Sequence, residues 1–430
     1  MVVLSHERCC GCGACVNICP KECINMVSDS EGFLFPEIDE SKCVDCGLCR
    51  SVCSVLSNQY DDKIDANQSV SISHRSLREQ PLQSALPTAA PLCGAASSCI
   101  PEAYGVKAKD IDLRLASSSG GFFSVIAKYI LKDCGVVCGA SMTDDCKGVK
   151  HIIIEKEDDL FKLRGSKYVQ SDIGTIYKEL LPILRSGRKV LFTGTPCQID
   201  GFKDFLNKDF DNLICAEVIC HGVPSPKLWN NYIDWQEAKT KAQIVKVDFR
   251  HKKCGWIVFG NRLENSQRKV LYSTLRDDPY LLMFLRDYCL RQSCYNCHAK
   301  NFSPRADFTL GDFWGIQNIL PDFFDDKGVS LVLVHNEKAK KIFDILSSDM
   351  EFKKVDCMEA LKGNICMLES VKRPKERDTF FKDMNTMSFK ALSKKYAYVS
   401  PKQKLINLLE KYHLLKFARK IKGLINKLRK

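Results

Sequence analysis

Several kinds of segment are missing from this 430-residue chain. No apolar run approaches the ~18–20 residues that a membrane-spanning helix needs. Residues Met1–Glu7 have neither a basic stretch nor an apolar core, so no signal peptide is expected and the cytoplasm is the expected compartment. G-x-G-x-x-G, G-x4-G-K-S/T and G-x-S-x-G do not occur, which removes the simplest dinucleotide, P-loop and serine-hydrolase readings. The eight histidines form no H-E-x-x-H. Basic charge is scarce outside one place. Of the net +12, residues 401–430 supply most, with ten Lys/Arg against Glu410, and the nearly neutral remainder argues against a broad nucleic-acid surface. Hydrophobic residues at 45% and charged residues at 27% are an ordinary globular balance for two or three domains.

Cysteine, in contrast, is abundant. There are 24, and in a long chain without an export signal they read as metal ligands rather than disulfides. Residues 9–53 hold two runs of the pattern C-x2-C-x2-C-x3-C. The first is Cys9, Cys12, Cys15 and Cys19 with Pro20 behind it; the second is Cys43, Cys46, Cys49 and Cys53, followed by Ser54. Thiolates at this spacing each take one corner of an iron–sulfur cube, and the fourth cysteine of each run reaches the other cube. One 4Fe–4S cluster is therefore assigned to Cys9, Cys12, Cys15 and Cys53. A second takes Cys43, Cys46, Cys49 and Cys19. A pair of zinc knuckles would use two C-x2-C hooks instead. Cys10 and Cys23 are not needed by either cluster.

Residues 1–56 thus read as a small α+β ferredoxin-like unit with a short hairpin around Gly32–Pro36. Residues 57–101 are rich in Ser, Ala, Gln and Pro and read as a flexible linker, with Cys93 and Cys99 free within it. Residues 102–350 alternate strand-like and helix-like segments, the pattern of an α/β domain with a mixed or parallel sheet. Ser117, Ser118 and Ser119 precede an amphipathic run from Phe122 to Leu131, where hydroxyls are expected to cap a helix whose free N–H groups can hold an anion. Lys189–Thr193 and Leu213–Ile219 read as successive parallel strands. Each delivers a cysteine, Cys197 or Cys220, at the carboxyl edge where open α/β sheets bind ligands. Cys294-Tyr295-Asn296-Cys297 follows. Together Cys197, Cys220, Cys294 and Cys297 are candidates for a third 4Fe–4S cluster or a zinc site, against separate buried thiols. His221 is either a donor beside that site or a turn residue. Asp307–Gly315 reads as a strand entering an aromatic turn, which could flank a planar cofactor or belong to the core. Residues 351–400 carry no clear pattern and are treated as an extension.

Residues 403–428 read as a basic amphipathic helix. Leu408, Tyr412, Leu415, Phe417, Ile421, Leu424 and Leu428 recur at helical spacing among Lys411, Lys416, Lys420, Lys422 and Lys427. Such a helix suits an anionic surface at the inner membrane, or docks on its own domain or on a partner.

The phrases Ser118–Gly121, Arg164–Ser171, Thr193–Gln198, Ile219–Pro224, Ser293–Cys297 and Thr309–Gly315 together resemble the coenzyme F420 hydrogenase/dehydrogenase beta-subunit family, in the form with a two-cluster ferredoxin domain in front. The resemblance implies an oxidoreductase that binds FAD and carries its own 4Fe–4S cluster on Cys197, Cys220, Cys294 and Cys297. It implies a flavin that exchanges a hydride with a deazaflavin or nicotinamide carrier and passes single electrons through the clusters to a redox partner protein. FAD would be held by Ser117, Ser118, Ser119, Gly120 and Gly121, by Arg164, Gly165, Ser166, Lys167 and Tyr168, and by Thr193, Gly194 and Thr195. The alternative is an electron-transfer module with no substrate of its own, serving a partner enzyme, for instance one of surface polysaccharide synthesis. The tail after Pro401 lies outside the family's motifs. Its deletion separates the two tail readings: binding to anionic vesicles is lost if the tail is a membrane helix and unchanged if it docks on the protein.

Overall fold

The chain is represented by a computed structural model that describes residues 5–56, 100–300 and 305–411. Most of the expected linker 57–101, with Cys93 and Cys99, lies outside those residues, as does the tail beyond Lys411. The described start of that tail is the helix Pro401–Lys411. Asn407 docks it by donating to Arg276 O and Asp277 Oδ1, while Leu408 stays half exposed. No described helix is long and apolar enough to cross a membrane.

The N-terminal unit is built on an antiparallel hairpin, β1 (Ile24–Ser28) against β2 (Leu34–Ile38), flanked by the short helices Ala14–Ile18 and Leu48–Ser51. The two cysteine runs repeat one local geometry. Gly13 and Gly47, both at φ 76°, sit between the second and third cysteines of their runs and turn the chain into the following helix. That left-handed conformation strains any residue with a Cβ.

The main domain is an eight-stranded mixed sheet. Its strands are β3 (Glu102–Ala108), β4 (Val136–Met142), β5 (Val149–Ile154), β6 (Val190–Gly194), β7 (Leu213–Val218), β11 (Phe308–Asp312), β12 (Ser330–Val334) and β13 (Met350–Val355). They lie in the order β13-β3-β12-β11-β7-β6-β4-β5. β4, β6, β7 and β11 run parallel; β5, β12, β3 and β13 join antiparallel. Side chains alternate between the two faces. Val137, Leu191, Ile214 and Phe308 bury against helix Phe122–Lys132. Val136, Cys138, Val190, Phe192 and Cys215 bury against helices Ile176–Arg185 and Pro196–Leu206. A strand buried on both faces needs such a continuous apolar run. A separate antiparallel ribbon, β8 (Ile244–His251), β9 (Gly260–Asn265) and β10 (Val270–Thr274), folds over one end.

Residues 351–400 are not a separate extension. β13 is the edge strand beside β3, and helices Arg377–Thr386 and Phe389–Tyr396 bury Phe380, Phe381, Met384, Phe389 and Leu392 against Trp229, Tyr232 and Tyr280. The expected boundary at 350 therefore falls on the first residue of a sheet strand. The same apolar cluster takes Phe33 and Phe35 from the N-terminal hairpin.

Polar contacts pin the N-terminal unit as firmly. Fully buried Arg291 donates to Cys9 O (2.7 Å), Leu34 O (3.0 Å) and Gln170 Oε1 (3.0 Å), with its guanidinium over the Phe35 ring. Arg377 makes a two-pronged ion pair with Glu31 (3.0 and 2.6 Å) and is 2% exposed. Arg377→Met removes the buried half of this pair and leaves Glu31, 23% exposed, without it. The substitution should lower stability by about 1–3 kcal/mol, read as a fall in the urea midpoint. A midpoint unchanged by the substitution would mean that the pair does not hold this seam.

Candidate functional site

Three groups of thiols and one cavity make up the candidate site. In the N-terminal unit, Cys53 of the second run lies beside Cys9 and Cys15 of the first. Burial, then the charges of Cys9 and Cys53, push the Cys15 thiol up to about 12. Cys12 is a neighbour of Cys9 and Cys15. In the other direction Cys19 of the first run neighbours Cys49, whose thiol is raised chiefly by burial, and Cys46 lies there too. Cys19 and Cys23 are 3.4 Å apart, with Cys43 close to Cys23. Cys53 thus has first-run neighbours and Cys19 has second-run neighbours, while Cys49 also neighbours Cys15.

The third group is assembled by the carboxyl edge of the sheet. β6 ends at Gly194, and the helix that follows starts with a Thr195–Gln198 capping box that puts Cys197 in its first turn, 3.2 Å from Thr195 Oγ1. β7 ends at Val218, two residues before Cys220. Cys294 and Cys297 come from the turn around Gln292–Asn296, where Val223 N donates to Cys294 Sγ (3.5 Å). Cys220 has Cys294, Cys197 and Cys297 among the charges that raise its thiol, after burial itself. Burial pushes Cys294 up to about 12 and Cys297 to about 11. Thiols crowded in this way repel one another once ionised. A cationic iron–sulfur core would relieve both the burial and the repulsion, so the donor sets fit such a core. Among the described residues, no three Cys, His, Asp or Glu side chains are grouped so as to hold a single metal ion; a cube spreads its thiolates over four corners.

The cavity, about 680 Å³, opens at the same edge. Of the residues expected to hold FAD, Ser117, Ser118, Ser119, Gly121, Arg164, Gly165, Ser166, Lys167, Tyr168, Thr193, Gly194 and Thr195 line it. Gly120 does not. It packs under the loop, where a Cβ would meet Val106 O at 2.1 Å. The expected hydroxyl cap is also absent. Helix Phe122–Lys132 starts on left-handed Gly121 with no side-chain cap. The hydroxyls are used elsewhere: Ser117 Oγ donates to Leu113 O, Ser119 Oγ donates to Val329 O, and Ser118 Oγ accepts from Ser166 N (2.7 Å). Ser118 ties the two cavity loops together, and the helix N-terminus stays turned towards the space.

Arg164, Lys167 and Arg250 are the arginine and lysine side chains that line the cavity. Burial drives Lys167 down to about 7, while its Nζ donates to Leu163 O and Arg164 O. Arg250 is held by Asp312 (2.8 Å), which also accepts from Trp256 Nε1 (2.6 Å). Trp314 forms part of the wall, stacked on Trp256 at 5.1 Å and 4°. His151 Nε2 lies 3.0 Å from Thr193 O, and burial takes its pKa down to about 4, so the neutral ring donates there. That leaves His151 Nδ1, like Arg250 Nε, buried with no hydrogen-bond partner among the described residues. Cations, an aromatic wall and two polar atoms without partners fit a large planar anionic cofactor.

Cys220 and His221 complete one wall. Burial alone would lower His221, but its contacts with Asp287 (2.5 Å) and Cys366 outweigh this and hold it at about 9. Sequence reading missed Arg250, His151, Lys300 and Cys366. Lys300 Nζ donates to Cys220 O (2.6 Å) and to Cys366 O. None of these four sits in a motif. Glu217 lies below the edge, 3% exposed, and accepts from Thr309 Oγ1 (2.7 Å), which contacts His335 Nε2 (2.7 Å).

Burial pushes the Glu217 carboxyl from 4.5 to about 7. A carboxyl raised on folding contributes stability that is full below about 4.5 and is lost as pH rises to about 7. Glu217→Gln should remove that loss. The melting temperature of the variant should fall less than the wild type's across this interval, and parallel curves would refute the assignment.

Residues 187–357 match the C-terminal domain of the coenzyme F420 hydrogenase/dehydrogenase beta subunit, and residues 8–56 match the 4Fe-4S dicluster domain. An uncharacterized protein of Methanocaldococcus jannaschii, MJ1349, is 24% identical over 379 residues, covering 79% of this chain and 87% of its own length. A chain in the structure of the F420-reducing NiFe hydrogenase complex from Methanosarcina barkeri is 16% identical, with a TM-score of 0.43 over 63% of this chain and 93% of that one.

Proposed function

We propose that this chain, which is similar to the C-terminal domain of the coenzyme F420 hydrogenase/dehydrogenase beta subunit and to the 4Fe-4S dicluster domain, is a flavin-dependent oxidoreductase in which one cavity meets a path of three 4Fe–4S clusters. The observation that carries this reading is a shared wall. Cys220 and His221 line the same cavity as Arg164, Lys167, Tyr168 and Thr193. A cofactor there would lie directly against the third thiol group.

Cys9, Cys12, Cys15 and Cys53 would hold one cluster, Cys43, Cys46, Cys49 and Cys19 a second, and Cys197, Cys220, Cys294 and Cys297 the third. FAD in the cavity would supply the exchange between two-electron hydride chemistry and single electrons. The side chains bind and orient. Arg164, Lys167 and the N-terminus of helix Phe122–Lys132 neutralise a diphosphate. Arg250, fixed by Asp312, offers a further cation, and the Trp314–Trp256 stack gives a flat wall. The Ser118–Ser166 contact holds the two phosphate-side loops at a set distance. His221, fixed by Asp287, keeps a cationic donor beside Cys220. The hydride carrier would be a deazaflavin or a nicotinamide, and the acceptor a one-electron partner protein.

Anaerobically purified holoprotein should bleach at flavin wavelengths, then at cluster wavelengths, with one of reduced deazaflavin, NADH or NADPH. Cluster reduction by reduced ferredoxin alone, in protein without flavin, would leave only the electron-transfer module. Arg164→Met and Lys167→Met should each weaken FAD binding roughly tenfold or more, since a charge-assisted hydrogen bond contributes about 1.5–3 kcal/mol. Isothermal titration of the apoflavin protein reads this, and unchanged affinity in both would move the diphosphate elsewhere.

A further inference from the structure

The positive charge of the chain is gathered at one end of the sequence. Residues 372–430 carry eighteen Lys/Arg and four acidic residues, an excess larger than the whole chain's net +12, so everything before them is slightly acidic on balance. None of this segment lines the proposed cofactor cavity. Its own buried side chains, Phe380, Phe389 and Leu392 among them, seat it on the body of the protein. Polar contacts then fix where it leads. Arg286 donates to Tyr396 O (2.6 Å) and Tyr398 O (3.0 Å), and Asn407 Nδ2 donates to Arg276 O (3.1 Å) and Asp277 Oδ1 (2.9 Å).

Those contacts set the rotation of helix Pro401–Lys411. Asn407 is 3% exposed and faces the protein, and Gln403, one turn before it, donates to its Oδ1 (2.8 Å). At about 100° per residue, Leu405 stands on the side of the helix opposite Asn407, with Leu408 beside it and Lys402 and Lys404 flanking them. Leu405 is 59% and Leu408 50% exposed. Lys402 and Lys404 are exposed as well. Tyr398, three residues before the helix, is 61% exposed.

A helix docked on its own domain by the hydrophobic effect turns its leucines inward. This one is anchored by an asparagine and turns two leucines out among lysines. Leucine enters the acyl boundary of a bilayer and lysine meets the phosphates of its headgroups. A nucleic acid or an acidic protein surface would engage the lysines and leave the leucines in water. Residues 412–430 extend the same composition, with seven Lys/Arg and no acid.

We infer that helix Pro401–Lys411 begins a surface that docks on an anionic lipid bilayer, with Leu405 and Leu408 entering the bilayer and Lys402 and Lys404 meeting its headgroups. The contacts of Asn407 and Arg286 hold this face outward, so the body of the protein carries it ready-made. The inference is independent of the cofactor reading.

The test uses the full-length protein, purified anaerobically, sedimented with vesicles of phosphatidylglycerol or of phosphatidylcholine. Wild type should sediment with phosphatidylglycerol, stay in solution with phosphatidylcholine, and be released as salt is raised. Leu405→Ser/Leu408→Ser, which leaves the charge unchanged, should weaken binding roughly tenfold or more. Lys402→Gln/Lys404→Gln should weaken it too. Both variants should keep the wild-type melting temperature, because neither pair is buried. A wild type that ignores phosphatidylglycerol vesicles would overturn the inference. So would full binding in Leu405→Ser/Leu408→Ser, which would place the contact elsewhere. A wild-type dimer in light scattering that the leucine substitutions make monomeric would also overturn it, since the face would then belong to a second copy.

Discussion

The Arg291 guanidinium is the contact on which the arrangement depends. It is wholly buried, and its three polar contacts join the Cys9 loop, the Leu34 strand and Gln170 of the main domain. An unpaired buried cation is costly unless its donors are satisfied. Two backbone carbonyls and one amide oxygen meet that need here, and they can do so only when the small unit is seated on the large one. The same residue stands three positions before Cys294. The seam that seats the N-terminal unit and the turn that completes the third thiol group are thus consecutive in the chain, and one cannot form well without the other.

From that seat the geometry follows a single direction. Parallel strands β6 and β7 deliver Cys197 and Cys220 at one edge of the sheet. The loops Ser117–Gly121 and Arg164–Tyr168 meet over the same edge and enclose a cavity whose charge and aromatic wall suit a planar anionic cofactor. Helix Pro196–Leu206 faces two ways: its N-terminus carries Cys197 beside the cavity side of the sheet, and Gly201 receives Cys12 from the N-terminal unit.

Much of this was legible in the residues because it depends on local pattern. The two C-x2-C-x2-C-x3-C runs repeat one backbone geometry, down to Gly13 and Gly47. Strand, turn and cysteine recur in order at Lys189–Cys197 and Leu213–Cys220. What was not legible depends on partners far apart in the chain. Helices Arg377–Thr386 and Phe389–Tyr396 gain their burial from Trp229 and Tyr280, so their own sequences carry little signal. The serines before Phe122 have the composition of a helix cap, but Ser166 and Val329, distant in sequence, compete for their hydroxyls and win. Gly120 looked like a cofactor contact and instead serves close packing against Val106.

Iron, acid-labile sulfide and flavin counted per chain on anaerobically purified full-length protein test most directly whether one chain holds three clusters and a flavin. About twelve iron, about twelve sulfide and about one FAD are expected. About eight iron with no flavin, or zinc without sulfide, would contradict it.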